Sequence, residues 1–352
     1  MRSLSSTAPE HSSGDVEALE TIMSRGGKSL RERMKNMESH LGFVTTEAGE
    51  PLAEHASATV RAGGKRLRPL LVVLACEAAG GPSETPDGEL ALLRAAVAVE
   101  LIHSATLVHD DVIDAARLRR GHPTVVATAG RQTAIATGDL LFSRAFAELA
   151  QNGSSAQLKA LSEASSALAQ GELLQREDAY ASHVAIDRYL YRCELKTAAL
   201  FEAACRLGAL VAVRTGDAGT STDMLADELG AFARRIGLAF QLLDDVLDVS
   251  GPVAHTGKSR GTDLLDGTVT LPFILAREYD AELAAFDLIS LSGPEQAQEL
   301  CDRIAATGAL EKARSRALSL VAEAKAALPK VLPEGRAVLL DLVADAVVER
   351  YR

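Results

Sequence analysis

The chain contains no tryptophan, and aromatic residues make up only 4% of its 352 positions. Low aromatic and β-branched content, with Ala, Leu, Glu and Arg recurring throughout, disfavours sheet and favours Ala/Leu-built helix. No segment shows the sustained apolar/polar alternation of a half-buried strand. Cysteine is scarce: Cys76, Cys193, Cys205 and Cys301 form no CxxC pair and have no histidine nearby at ligand spacing. That predicts buried, reduced thiols in a cytosolic protein. Positive charge is in deficit, 37 Lys and Arg against 48 Asp and Glu, for a net charge of −11. A general basic surface for nucleic acid is thereby excluded, and any polyanionic ligand has to be held by metal ions or a few placed cations. The chain also lacks an uncharged apolar run of membrane-spanning length. Its best candidate, Leu90 to His109, carries Arg94, Glu100 and His103, so no membrane span is expected. The opening MRSLSSTAPEHSSGD has no apolar stretch of the signal-peptide kind, so residues 1–15 read as a flexible tail before one helical domain over 16–352.

From Pro51 onward, helical stretches alternate with Gly- and Pro-rich breakers: AGGKRLRP, AAGGPSETPDGE, RRGHP, QNGSS, RTGDAGTSTD and SGPVAHTGKSRGTDLLDGTVTLP. The spacing predicts a single all-α domain of roughly ten or more helices, each of ordinary length. Leu90 to Asp114 and Gly230 to Val249 are apolar nearly all round, which places them inside a bundle. Val16 to His40 reads as surface helix, and its RGGKSLRER stretch as a solvated basic run.

The two interior helices end alike. The first closes with Asp110, Asp111 and Asp114 and the second with Asp244, Asp245 and Asp248, both in the pattern DDxxD. Residues four apart share a helix face, so Asp110 with Asp114 and Asp244 with Asp248 form like-charged pairs. Aspartate is a poor helix former and is disfavoured near a helix C-terminus, where the dipole repels anions. Mg²⁺ offsets both costs, because it prefers carboxylate oxygens and is usually shared with a substrate phosphate. The plainer alternative is a pair of solvated helix ends. An EF-hand is excluded by the spacing.

Cations complementary to a diphosphate are present. Lys65, Arg66 and Arg68 follow a Gly pair, and Arg119 and Arg120 lie one to two turns beyond Asp114. Arg grips a diphosphate through two donors and Lys supplies a point charge, although each stretch also reads as a solvated helix start. His103 precedes Asp110 by seven residues and so faces the same side, as a ligand or as a core histidine. Lys196 and Thr197 lie on a third apolar helix, where a lysine can simply snorkel. Lys258 sits in a Gly-rich loop that either folds over a phosphate or only connects helices.

The motifs GGKRLRP, ELIHSATLVHDDVID, RLRRGHPT, GELLQ, KTAALFEAACRLGA, FQLLDDVLDV and GTDLLDGTVTLP occur in the order found in trans-isoprenyl diphosphate synthases (polyprenyl synthetases). From about Leu52 to the C-terminal ERYR the chain resembles that family. The resemblance implies a helical bundle with the two DDxxD helices facing across a deep central cavity, usually as a homodimer. It makes Asp110, Asp114 and Asp244 the ligands of several Mg²⁺ ions, with Asp111 and Asp248 in support. Arg119, Lys196, Thr197, Gln241 and Lys258 would grip the diphosphate of an allylic primer, and Lys65, Arg68, His103 and Arg120 that of isopentenyl diphosphate. Many relatives have Lys where this chain has Thr268, so one cationic contact to the primer is missing.

Product length in this family depends on the residues five and four before the first Asp, here Ala105 and Thr106, where short-chain enzymes carry bulky aromatics. One turn deeper lie Ile102 and Val99. The resemblance therefore implies a medium or long product, such as a quinone side-chain precursor destined for a membrane. Geranylgeranyl diphosphate is the competitor if Phe142 or Phe146 closes the tunnel. A class I terpene cyclase is disfavoured by the intact second DDVLD and by Lys65 and Arg68, and a non-catalytic partner subunit by retention of all six aspartates.

Overall fold

Short polar caps set where three of the long helices begin. The computed structural model describes residues 13–47, 49–181, 183–212, 222–251, 260–332 and 335–349. Helix α1 spans Ser13–Arg25, α2 Gly27–Thr46, α3 Leu52–Arg61 and α4 Leu67–Ala79. Helix α5, Pro86–Ile113, starts where the Thr85 side chain accepts from the Gly88 N–H, with proline in its first turn. Helix α6, Val125–Ala150, and α7, Ser155–Glu177, are capped in the same way by Thr124 and Ser154. Then follow α8, Ile186–Cys193, a π-helical turn over Glu194–Ala198, α9, Ala199–Val211, and α10, Thr222–Ser250. Shorter segments lead to the C-terminal helices Pro294–Ala306, Ala309–Val331 and Val338–Glu349.

The architecture is all-α, as the composition predicts. Among the described residues the only sheet is a two-residue hairpin, Leu118–Arg119 paired with His122–Pro123. Helix α5 runs along α6, while α10 lies between α9 and Ala309–Val331. The all-round apolarity of α5 and α10 has the expected consequence. On α5, Leu92, Val97, Leu101 and Ile102 are fully enclosed, and so are Phe232, Ile236 and Leu242 on α10. Each such side chain contributes about 1.5–3 kcal/mol, so these two helices form the rigid frame of the molecule. By length and composition α5 could cross a membrane, yet its apolar window is mostly buried in the bundle.

Two readings of the N-terminal region need correction. Helices α1 and α2 are more than surface helices, because Ile22, Leu30, Met37, Leu41 and Val44 enter the core. Nor is RGGKSLRER simply solvated. Arg33 donates to Glu77 on α4 and Glu89 on α5, clamping α2 to both. The four cysteines are free and buried, as expected.

Candidate active site

Asp110 lies in the last turn of α5, and Asp114 ends that helix, donating its N–H to the Asp110 carbonyl at 2.8 Å. Burial pushes the Asp110 carboxyl up to about 6; Lys196 and Arg119 pull against that shift, while Glu172 and Asp114 add to it. Charged groups from α5, the hairpin, α7 and the π-turn therefore converge on one carboxylate. Asp111 points inward and accepts from Arg119 Nε at 2.8 Å, which ties the hairpin to the end of α5.

The hairpin turns through Arg120 and Gly121, both with positive φ, the twist a two-residue hairpin prefers. Arg120 then reaches the second basic segment. Its guanidinium donates to the Gly63 carbonyl, and a Cβ at Gly64 would come within 2.9 Å of Nη1. Arg66 caps α4 from the left-handed region. It donates to Glu100 at 2.7 Å, to Glu38 and to the Val60 carbonyl at 2.9 Å, which fixes the backbone between Lys65 and Arg68. Arg68 packs its guanidinium over the Phe201 ring, 4.7 Å from the centroid, and its buried Nε has no hydrogen-bond partner among the described residues. Burial lowers this guanidinium to about 10, although the charges of Glu100 and Asp244 oppose the shift. Burial first, then the charges of Arg68, Arg120, Arg119 and Arg66, hold the His103 imidazole well below its usual range. An anion seated here would relieve the repulsion among these guanidinium groups and give the buried Nε an acceptor.

The third element carries Lys196 and Thr197, which the resemblance assigns to the primer diphosphate. The π-turn Glu194–Ala198 presents Lys196 and Thr197 side by side, and such bulges are frequent at functional sites. Glycine lets its neighbours approach: a Cβ at Gly171 on α7 would come 2.5 Å from the Lys196 backbone nitrogen, and one at Gly237 on α10 2.8 Å from Ala198 Cα. Lys196 donates to Glu172, and Thr197 donates to Gln241 Oε1 at 2.7 Å. Gln241 in turn donates to Asp245 at 2.8 Å, and the Tyr189 hydroxyl donates to the other oxygen of Asp245 at 2.5 Å. Burial raises the Asp245 carboxyl to about 7 against those hydrogen bonds. Asp244 is half-buried, and Asp248 accepts the N–H groups of Thr262 and Asp263 at 3.2 Å each. Lys258 lies outside the described residues. Thr268 is half-buried and donates its N–H to the Asp263 carbonyl at 2.7 Å.

The structure therefore gathers Asp110, Asp114, Arg119 and Lys196 in one group and Arg68, His103, Arg119 and Arg120 in another. Gln241 on the second aspartate helix accepts from Thr197 on the π-turn at 2.7 Å, which brings that helix to the edge of this region. Sequence reading passed over Glu172, Arg176, Tyr189 and the role of Glu100, each of which has a partner distant in the chain: Glu172 with Lys196, Arg176 with Asp114, Tyr189 with Asp245 and Glu100 with Arg66. The GELLQ segment that resembled the family was the one available signal for Glu172. Ala105, Ile102 and Val99 are fully buried on α5, and Phe142 stacks on His109 with centroids 5.7 Å apart.

A match to the polyprenyl synthetase family model extends over residues 50–306. The chain belongs to the polyprenyl synthetase family. It is 34% identical over 332 residues to the geranylgeranyl diphosphate synthase of Methanosarcina mazei, covering 92% of this chain and 98% of that protein. It is 37% identical over 294 residues to heptaprenyl diphosphate synthase component 2 of Geobacillus stearothermophilus, covering 82% and 86%. A polyprenyl synthase from Caulobacter crescentus, solved with calcium and isoprenyl diphosphate, superposes with a TM-score of 0.81 at 31% identity over 97% of this chain and 100% of that one. This polyprenyl synthetase is thus a transferase of prenyl groups, and enzymes of its family join isopentenyl diphosphate to an allylic diphosphate.

The donor set tests whether a divalent cation fits. Among the described residues no three His, Cys, Asp or Glu side chains close around one point. The aspartates supply hard carboxylate oxygens from one helix at a time, so the rest of the coordination has to come from water and a diphosphate. Mg²⁺ is held by proteins in that manner, and the residues fit it.

Proposed function

We propose that this polyprenyl synthetase condenses isopentenyl diphosphate head to tail with an allylic diphosphate and releases a medium- or long-chain polyprenyl diphosphate. The carrying observation is the pairing of a carboxylate group around Asp110 with an arginine group around Arg68 and His103. Asp110, Asp114 and Asp244 would hold Mg²⁺, with Asp111 and Asp248 keeping the helix end and the following loop in place. When bound there, Mg²⁺ would supply electrostatic stabilisation of the departing diphosphate. Arg119, Lys196, Thr197 and Gln241 orient that diphosphate. Lys65, Arg68, Arg120 and neutral His103 hold the isopentenyl diphosphate, so its double bond meets the allylic carbon as the C–O bond breaks. Fixed cations aimed at a leaving group stabilise charge without reorganisation at the moment of reaction. The apolar flanks of α5 and α10 exclude water that would quench the allylic cation. Loss of a proton to the released diphosphate regenerates an allylic product that can be extended again.

Small side chains at Ala105 and Thr106 support the longer product. The stack of Phe142 on His109, beside Asp110, favours geranylgeranyl diphosphate as the second reading. The assembly proposed is a homodimer, and the four unpaired buried thiols suit a reducing cytoplasm. The deciding experiment incubates the protein with Mg²⁺, farnesyl diphosphate and labelled isopentenyl diphosphate and resolves products by chromatography. A ladder extending beyond geranylgeranyl supports the long-chain reading. Accumulation at geranylgeranyl supports the second, and the absence of product with every primer sinks both.

A further inference from the structure

The carboxylate group at the end of α5 contains two side chains from α7. Glu172 and Arg176 lie four residues apart and share a face, and Arg176 Nε donates to Glu172 Oε1 at 3.1 Å. Arg176 Nη2 also donates to Asp114 Oδ1, across the gap between α7 and α5. The other oxygen of Glu172 accepts from the Lys196 ammonium on the π-turn. Asp114, Arg176, Glu172 and Lys196 thus form an unbroken run of alternating charge, net zero, spanning three elements. Its two ends are groups that the proposed function assigns to the metal and to the primer diphosphate, and both are already engaged by α7. A carboxylate oxygen that accepts from a guanidinium cannot bind a divalent cation at full strength, because the fixed positive charge repels the ion.

We propose that Arg176 is a positioning residue that occupies the Asp114 carboxylate until a divalent cation displaces it. The released guanidinium settles on Glu172, its neighbour one turn away, and the Lys196 ammonium passes from Glu172 to the diphosphate. Every charge keeps a partner before and after the exchange. Entry of the cation is thereby coupled to release of Lys196, so cation and diphosphate favour each other's binding. The inference rests on the reading of Asp114 as a metal ligand.

The test is Mn²⁺ binding without diphosphate, followed by electron paramagnetic resonance of the free ion. The set comprises the unaltered enzyme, Arg176→Gln, Asp114→Asn and the double variant, with folding verified by circular dichroism. The guanidinium and Asp114 are both partly solvated, so Arg176→Gln is expected to bind Mn²⁺ about fivefold more tightly. Asp114→Asn binds more weakly, and adding Arg176→Gln to it restores nothing. Arg176→Lys, the reserve if Arg176→Gln does not fold, falls between the unaltered enzyme and the expected Gln value. Unchanged Mn²⁺ affinity in Arg176→Gln overturns the proposal. An equal gain in the Asp114→Asn background does so too, by showing that Arg176 acts through its general field. In both cases the metal-ligand reading survives, whereas an Asp114→Asn variant with unaltered affinity overturns both.

Discussion

Arg66 has an ion-pair role more demanding than its position in a basic stretch suggests. Its partner Glu100 is enclosed in the core and its carboxyl is raised, first by burial, with Arg66 acting to lower it. Removing one member of a buried pair leaves an uncompensated charge, which costs about 3–5 kcal/mol. Arg66→Met is expected to lose stability of that order in urea titrations, and Arg66→Met combined with Glu100→Leu to recover most of it. Failure of the double variant to recover would mean that Arg66 acts through Val60 and Glu38 instead. Ala105 gives the chain-length prediction. It is fully enclosed on α5, five residues before Asp110, so a phenylalanine there costs about 1–3 kcal/mol in overpacking and, under the proposed function, blocks the growing chain. Ala105→Phe is expected to shift the product distribution toward shorter chains, and an unaltered ladder would remove Ala105 from the floor of the tunnel. The aspartates were legible at this scale because two carboxylates four apart on an apolar helix are locally costly. Glu172 and Arg176 were not, because an acidic and a basic residue four apart on a helix are indistinguishable from an ordinary solvated pair.

Among the elements, the π-turn depends on how closely α7 approaches it. Gly→Ala within a helix normally stabilises by up to about 1 kcal/mol. At Gly171 the added Cβ would meet the Lys196 backbone, so Gly171→Ala is expected to destabilise by about 1–3 kcal/mol and to raise KM for the allylic substrate more than it lowers kcat. A gain in melting temperature would show that the two segments can move apart freely. The C-terminal region has its own acid-sensitive joint. Asp280 accepts from Arg303 at 2.6 and 2.8 Å and from the N–H groups of Glu282 and Leu283, and these bonds, Arg303 first, hold its carboxyl at about 2. Because the folded value lies below the unfolded value of 3.8, this contribution is complete above about pH 4 and is lost as pH falls toward 2. Asp280→Asn should flatten the acid limb of the stability curve over that window, measured by thermal melts, and an unchanged limb would assign the acid sensitivity to other carboxylates. Helices α5 and α10 could be read from their uniform apolarity. The π-turn could not, since one extra residue per turn barely disturbs a 3.6-residue pattern, and α2 was misread because its buried stripe is interleaved with charges.

Across the whole molecule, the two aspartate clusters end separate helices, α5 and α10, and no close protein contact among the described residues joins their carboxylates into a ready-made metal cage. The sequence therefore disclosed the two halves of the site and the all-α frame, while the way α7, the hairpin and the π-turn bring them together required the fold. That separation has a thermodynamic consequence. A ligand that binds only the folded state stabilises it by RT ln(1 + [L]/Kd), about 2.7 kcal/mol at one hundred times Kd. Mg²⁺ alone binds weakly, to the carboxylates of one helix at a time, and inorganic diphosphate alone faces the unscreened aspartates, so at concentrations near each one's own Kd either is expected to leave the melting temperature nearly unchanged. Together they complete one another's coordination, bridge α5 to α10, and should raise the melting temperature by a few degrees. The rise should vanish with EDTA and in Asp244→Asn, which removes the α10 side of the bridge. An equal rise with diphosphate alone would instead place the anion entirely in the arginine group around Arg68, with no metal between it and the aspartates.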